Sequence, residues 1–416
     1  MTGVRRRSLI VLLFMSGLFV VPAAASATPR ASAPRVDLHE YFSTEDFQRA
    51  QRYRAPRYAL GFISLGAELI ALLVIGLAGG TRRFGNLASK IAGDRWWLQA
   101  IVLAVAITVV LTLVDLPFGL GRFALDRAWG LSTQNLGGYF SDEFRSLGFQ
   151  LVFTIVVALP FFWVARAAPR TWPIWAALGA VVLTFVFSML FPVVYEPLFN
   201  KFTPVEPALK DRIVALGKQE GVRVGSVLVA DASKRTTTQN AYVSGLGATK
   251  RVVLYDTLLQ KSTEKEVELV VAHELAHVAH NDVTKGTAFG ALGAALGVGL
   301  IWLLLAHTSI PSRLGVEGAG DPRILGFLLL VVTVAGLLAT PIENAYSRKI
   351  EGAADRTAVQ VTRDWRTSIA VEVNLARDSI SDLEPNGFIR WAFFSHPSTA
   401  ERIGIALEER DLLGEK

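Results

Sequence analysis

The residues with most chemical potential stand together at His273-Glu274-Leu275-Ala276-His277. The chain has only six histidines, and His273, His277 and His280 fall within one short stretch. On an α-helix, positions four apart lie within about 40° of each other and one turn along, so both outer imidazoles of the motif can face one ion. Glu274 sits about 100° round from His273, close enough to reach water at that ion without occupying it. The chemistry this spacing serves is metal-assisted hydrolysis, with zinc activating water and a carboxylate taking its proton. Two histidines are not enough, because a catalytic zinc usually takes three protein ligands and keeps one position open.

The best third ligand is Glu351, within Ser347-Arg348-Lys349-Ile350-Glu351-Gly352-Ala353-Ala354-Asp355. Asp355 lies one turn beyond and can orient a ligand histidine through its second ring nitrogen. His280 competes for the third position, since it returns to the face of His273, but it lies about 10 Å along the helix axis and cannot share the ion. The expected centre is therefore one Zn2+ per chain on His273, His277 and Glu351, with Glu274 as catalytic base.

These side chains need a helix to hold them. Lys265 to His280 reads as one, with Val267, Leu269, Val270, Val271, Leu275 and Val278 among its apolar positions and no Gly or Pro to break it. It closes a polar region, Glu196 to Lys285, patterned like a soluble α/β unit: a helix over 208–220, a strand over 224–230, and extended stretches at 240–243 and 252–255. On both sides of this region the chain turns apolar. A hydrocarbon core about 30 Å thick needs about 20 apolar residues at helical rise. Seven such runs are readable, at residues 8–27, 58–80, 98–121, 149–167, 172–195, 286–307 and 325–342. The first follows Arg5, Arg6 and Arg7 and ends in Ala25-Ser26-Ala27, a signal-peptidase-like pattern. The sixth carries Gly286, Gly290, Gly293 and Gly297, a spacing that lets a neighbouring helix come close. Glu68 and Asp115 are the notable ionisable groups within runs, and both are read as facing a wet interior rather than the site.

Composition agrees with a bilayer. The chain is 51% hydrophobic, 19% charged and has a mean hydropathy of +0.39, too apolar for an ordinary soluble protein. Its net charge of +6 is dispersed, which gives nucleic-acid binding no support and suits anionic lipid headgroups. With no cysteine, disulfides, thiolate ligands and a cysteine nucleophile are all excluded. The fold class expected is a mainly α integral membrane protein, about seven transmembrane helices surrounding a zincin-type metallopeptidase domain with a small β-sheet. Its parts are a signal-like or first transmembrane segment with a polar linker (1–57), N-terminal transmembrane helices (58–195), the peptidase domain with the motif helix (196–285), two further transmembrane helices (286–342) and a C-terminal part carrying the third ligand (343–416).

The residues also resemble a known family, the CAAX prenyl protease 1 type of membrane zinc metallopeptidase, with HtpX-type proteases as more distant relatives. The likeness runs in order through the stretch 192–204 (Pro-Val-Val-Tyr-Glu-Pro-Leu-Phe-Asn-Lys-Phe-Thr-Pro), then Asn240-Ala241-Tyr242-Val243, the zinc helix, Asn344 with Ser347, Arg348, Glu351 and Asp355, and Ser395-His396-Pro397-Ser398 with Glu401-Arg402. It is loose over residues 1–57 and 122–148. Ala276 and the Gly-Ala-Ala after Glu351 depart from the family's usual residues without touching the metal chemistry. The resemblance implies that Asn240 lies on an edge strand pairing with a peptide or protein substrate in extended conformation. It implies that His396 is catalytic, polarising the scissile carbonyl, and that Arg402 supports substrate binding. A chamber within seven helices, facing the zinc site, is implied as well. The rival readings are an HtpX-like protease that clears misfolded membrane proteins and a non-enzymatic transporter or receptor with a regulatory metal site. The 192–204 stretch and the seven runs favour the first family.

On orientation the signals oppose each other. Arg5 to Arg7, Arg82, Arg83, Lys90, Arg95, Arg166 and Arg170 gather on one side, which would put the zinc domain outside. The resemblance implies a cytoplasmic zinc domain, and that orientation is the one expected.

Overall fold

A computed structural model describes residues 36–246 and 249–414. Among them six helices are long and apolar enough to cross a membrane. Four precede the peptidase unit: α1 (Thr44–Gly76), α3 (Trp96–Ala128), α4 (Leu136–Ala167) and α5 (Trp172–Leu190), with a short amphipathic α2 (Gly80–Ala92) between the first two. Two follow it, α8 (Asp282–His307) and α9 (Leu325–Thr362). The predicted run at 8–27 lies outside the described residues.

Most of these helices are longer than the apolar runs that announce them, for local reasons. α1 begins well before Tyr58 because Ser43 and Asp46 form a reciprocal capping box that starts the helix in polar sequence. Its 33 residues span about 50 Å at 1.5 Å each, against a hydrocarbon core of about 30 Å. The surplus projects from one face of the bundle, where Phe42 and Tyr53 pack with Val373, Ile380 and Ile403 of the C-terminal part. α9 is a single helix of 38 residues, so the last apolar run and the segment of Glu351 form one rigid rod. From Ile342 to Glu351 the rise is roughly 13 Å at about 1.5 Å per residue, which sets the site close above the membrane.

Between α5 and α8 lies a four-stranded sheet of order β1-β2-β4-β3: β1 (Phe202–Pro204), β2 (Ser226–Ala230), β3 (Ala241–Ser244) and β4 (Arg251–Tyr255). β2 and β4 are parallel, while β1 on β2 and β3 on β4 are antiparallel. β3 is thus an edge strand, with Tyr242 opposite Val253 and Val243 opposite Val252. Helix α6 (Pro207–Gln219) and the motif helix α7 (Glu264–Ala279) cover the sheet. Their common core includes Ile213, Val227, Leu254, Leu258, Val271 and Leu275, all but shut off from solvent. Helices α10 (Trp365–Asp378), α11 (Gly387–Phe393) and α12 (Thr399–Leu412) complete the unit.

Two sequence expectations change. Gly290 and Gly293 are buried, but a Cβ added at Gly286 or Gly297 would meet nothing within 4 Å, so only part of that glycine row serves packing. The close approach lies elsewhere: a Cβ on Gly76 of α1 would stand 3.0 Å from the carbonyl oxygen of Gly326 in α9. Asp115, read as facing a wet interior, instead accepts from Arg122 at 3.0 Å and from Ser64 at 2.5 Å. An ion pair within the bundle removes the cost of a lone carboxylate there.

Candidate active site

Helix α7 is placed by its own sequence. Thr263 and Glu266 close a capping box at its start, and Val267, Val271, Ala272, Leu275 and Ala276 turn inward. That leaves His273, Glu274 and His277 on the flank facing α9. There Glu351 and Asp355, one turn apart, meet them.

Nε2 of His273 lies 3.2 Å from Nε2 of His277 and 3.2 Å from Oε2 of Glu351, and His277 Nε2 is 3.7 Å from Oε1 of Glu351. One donor atom from each of these residues falls within 4.8 Å of the others. Donors of a tetrahedral zinc with bonds of about 2.0–2.1 Å stand roughly 3.3 Å apart. The residues therefore fit such an ion in spacing and in donor chemistry, two imidazoles and a carboxylate. Oε2 of Glu351 is buried among them yet accepts no aligned hydrogen bond, an arrangement that a cation resolves.

The electrostatics ask for positive charge at the same point. Burial works against protonating His273, but the carboxylates of Asp355 and Glu351 outweigh it and hold the imidazole well above its ordinary range. For His277 burial is likewise overcome, by Asp282 and Glu351, which lift it to about 9. A divalent ion supplies the charge that protons otherwise bring. The outer nitrogens of both rings face carboxylates: His273 Nδ1 is 2.9 Å from Asp355 Oδ1, a close ion-pair contact without an aligned N–H, and His277 Nδ1 is 3.0 Å from Asp282 Oδ2.

Asp282 was not read from the sequence. It lies beyond the end of α7, and only the left-handed turn at Asn281 (φ 57°) brings the chain back to His277. His280 is directed away, 3.4 Å from the Thr357 hydroxyl, and takes no part in the donor cluster.

Glu274 is buried, and burial raises its carboxyl pKa despite the two histidines. Its Oε2 accepts from the backbone N–H of Val243 at 3.2 Å. This carboxyl is thus tied to the edge strand itself. Alternate residues of an antiparallel strand turn their backbone groups toward the partner. The carbonyl of Asn240 already accepts from Tyr255 N–H at 3.0 Å, so Ala241 and Val243 present the open edge and Asn240 stands at its upstream end.

The strand is anchored from behind. The Tyr242 hydroxyl donates to Glu196 Oε2 at 3.0 Å, and Arg251 reaches the same oxygen at 2.6 Å. Glu196 follows a π-helical turn, Phe191–Tyr195, where Pro192 has no amide hydrogen to offer. This buried trio is a second feature that sequence reading missed.

His396 places Nε2 3.2 Å from Glu351 Oε2, with Nδ1 3.0 Å from the Ser395 hydroxyl. Burial pushes its imidazole down to about 4, so it is neutral near pH 7. Arg402 lies one layer back. Its Nε and Nη2 donate to Asp355 at 2.9 and 2.5 Å, and Nη1 is 2.9 Å from Glu372. It touches no donor of the cluster directly, so the chain of contact runs from Glu372 through Arg402 and Asp355 to His273.

A membrane bundle joined to an HExxH helix and a distant glutamate defines a membrane-embedded metallopeptidase. Residues 26–201 match the CAAX prenyl protease N-terminal family, described as five membrane helices, and residues 206–410 match peptidase family M48. The chain belongs to peptidase family M48, in its membrane-spanning CAAX prenyl protease branch. It is 27% identical to an uncharacterized metalloprotease, YhfN, of Bacillus subtilis, over 96% of this chain and 92% of that protein. CAAX prenyl protease 1 of Saccharomyces cerevisiae is 28% identical over 70% of this chain and 68% of its own length. The crystal structure of S. mikatae Ste24p shares the fold, with a TM-score of 0.78 at 23% identity and 96% of each chain covered. The protein is a multi-pass membrane metalloprotease, and neither the HtpX-like nor the non-enzymatic reading is favoured.

Proposed function

We propose that this protein is a zinc endopeptidase that cuts peptide segments presented as an added β-strand, with zinc held by His273, His277 and Glu351. The observation that carries the reading is the hydrogen bond from Val243 N–H to Glu274, which puts the proposed base at the open edge of β3 beside the donor cluster. A substrate backbone pairing with Ala241 and Val243 passes directly by that carboxylate.

When bound, the ion supplies Lewis acidity to water and to a carbonyl oxygen. Glu274 takes the proton from the attacking water, and its raised pKa brings it nearer to the proton it must hold. The same carboxyl then delivers that proton to the leaving amine nitrogen. His396, neutral and close to Glu351, donates through a ring N–H to the carbonyl oxygen as negative charge builds there. Asp355 and Asp282 hold the two histidine rings in orientation, and Arg402 fixes Asp355.

The relatives named CAAX prenyl proteases suggest substrates cut near a lipid-modified C-terminus. The pairing mode itself reads backbone rather than side chains, so it suits any extended segment that reaches the edge strand. The test is metal analysis of purified protein together with peptide cleavage before and after chelation. One zinc per chain, with activity lost on chelation and restored by zinc, is expected. Cleavage at the parental rate by metal-free protein would reject the assignment.

A further inference from the structure

We propose that a basic cleft between α9 and α12 seats the phosphate of an anionic phospholipid headgroup. The cleft holds about 370 Å³, with Ala345, Arg348, Lys349 and Arg356 of α9 across from Pro397 and Glu401. Such a volume lies within the range of small-ligand sites. The α9 residues recur at three- and four-residue spacings and share one stripe, about 100° round the helix from Glu351 and Asp355. The cleft therefore lies on a different flank of the rod from the metal donors. Gly352 keeps it open: a Cβ added there would stand 3.5 Å from Ile405 Cδ1 and 4.0 Å from Pro397 Cγ.

Three of the lining side chains are cationic and one is acidic, and among the described residues no other ionisable group lines the cleft. The acid is already engaged. Glu401 Oε2 accepts from the backbone N–H and the hydroxyl of Ser398, each at 2.8 Å, while Oε1 pairs with Arg390. Arg356 is matched by Glu408 at 3.1 Å, with Glu409 3.8 Å away. Arg348 spends Nη1 on the carbonyls of Arg390, Trp391 and Phe394, which hold the side chain in place and leave its charge uncancelled. Lys349 is exposed and, among the described residues, enters no ion pair. Two uncompensated cations thus remain, a guanidinium fixed by the fold and an ammonium free to swing toward it. That combination suits a phosphate diester, whose oxygens accept from both and whose charge both neutralise.

The level of the cleft decides where the phosphate comes from. Ile342, at the end of the last apolar run, is exposed, and Ala345 to Lys349 rise about 5–10 Å beyond it at about 1.5 Å per residue. The headgroup layer extends about 5–8 Å past each edge of the hydrocarbon core, so the lower end of the cleft stands within it. Helix α11 marks the same height. Its Ala392 carbonyl accepts from Asn344 at 2.7 Å, and Phe393 packs on Phe62 of α1 with ring centroids 5.3 Å apart. The same helix exposes Phe388 and Trp391, aromatic side chains of the kind that settle at the membrane–water boundary. A basic pocket between helices at that boundary takes a lipid headgroup in preference to a soluble anion. This inference stands apart from the zinc chemistry.

The test places the full chain in nanodiscs of equimolar phosphatidylglycerol and phosphatidylcholine and releases it for native mass spectrometry, in which mass separates the two lipids. The parent is expected to keep one phosphatidylglycerol in preference to phosphatidylcholine. Lys349→Ala should hold it about fivefold less, the weight of one cation at a lipid surface, and Lys349→Glu should lose it. Lys218→Glu makes the same charge change at an exposed position of α6, which contributes nothing to the cleft, and should match the parent. Inorganic phosphate added to the lipid-bearing parent should leave the lipid in place. Equal retention by the parent and Lys349→Glu, no preference for phosphatidylglycerol in the parent, or equal loss in Lys218→Glu overturns the proposal. Displacement by inorganic phosphate overturns it as well, by giving the cleft to a soluble anion.

Discussion

Replacing Arg402 with Met tests how the centre is supported, because this one cation sits between two buried carboxylates. Asp355 is held by two hydrogen bonds and Glu372 by one contact, and the side chains of both acids are less than a tenth exposed. Met fills much of the same volume and removes the charge. Taking one partner from a buried ion pair typically costs about 3–5 kcal/mol, because the charges left behind have no compensation. Part of that strain is transmitted to His273, the neighbour of Asp355. Loss of such outer support commonly weakens metal binding by about 10–100-fold. The assays are thermal unfolding in mild detergent and zinc retention against a graded chelator. A second substitution, Glu372→Gln in the Arg402→Met background, should recover part of the stability at pH values high enough to ionise the Glu372 carboxyl, where one surplus negative charge is removed. If Arg402→Met melts with the parent and releases zinc at the same chelator concentration, the proposed chain from Glu372 to His273 carries no energy and the reasoning fails.

Four further outcomes follow from the same geometry. Glu274→Gln should retain its metal and lower kcat by about 10²- to 10⁴-fold, the usual share of a positioned base; parental turnover would remove Glu274 from that role. Asp282→Ala should weaken zinc binding by roughly 10–100-fold through His277, measured by competition with a chromophoric chelator, and an unchanged affinity would show that the second ring needs no carboxylate. Burial pushes the Glu372 carboxyl up to about 7, because Arg402 is already matched by Asp355. Its unfolded value is about 4.3, so the folded state keeps this proton longer and the group's contribution to stability falls as pH rises toward 7. Glu372→Gln should flatten that decline in a melting-temperature profile, and parallel curves for parent and variant would contradict it. Finally, a Cβ on Gly326 would stand 2.6 Å from Ile75 Cγ2, so Gly326→Val should cost about 1–3 kcal/mol by overpacking, read as a lower melting point in detergent.

The sequence was most legible where a period or a spacing carries the information. The motif helix, expected over 265–280, runs Glu264–Ala279, and the runs at 98–121, 149–167, 172–195, 286–307 and 325–342 lie within observed spans, while that at 58–80 overruns the end of α1 at Gly76. His273, His277 and Glu351, expected to share an ion, do converge. What stayed hidden depends on dihedral angles and on contacts between distant segments. Asp282 reaches His277 only because Asn281 is left-handed, and nothing in residue types five apart announces that turn. Glu372 reads as one polar residue on an ordinary helix, and its meaning appears only when α10 lies against Arg402 of α12. The starts of α1 and α4 were placed too late because caps, not apolar content, begin them.

One consequence of the architecture ties membrane and chemistry together. α9 leaves the bilayer as a continuous rod and carries both Glu351 and Asp355, while α5 leads through the π-helical turn 191–195 to Glu196, which accepts from Tyr242 of the edge strand. Glu351, the proposed third metal donor, and β3, the proposed substrate-pairing edge, are therefore each fixed to the end of a membrane span. Neither could shift by an ångström without moving a helix packed in lipid and protein. A soluble domain would have to build that rigidity from its own core, which here comprises one small sheet and few helices. The bilayer-embedded bundle supplies it instead, so detergent or lipid conditions that loosen the bundle should weaken catalysis before they unfold the sheet.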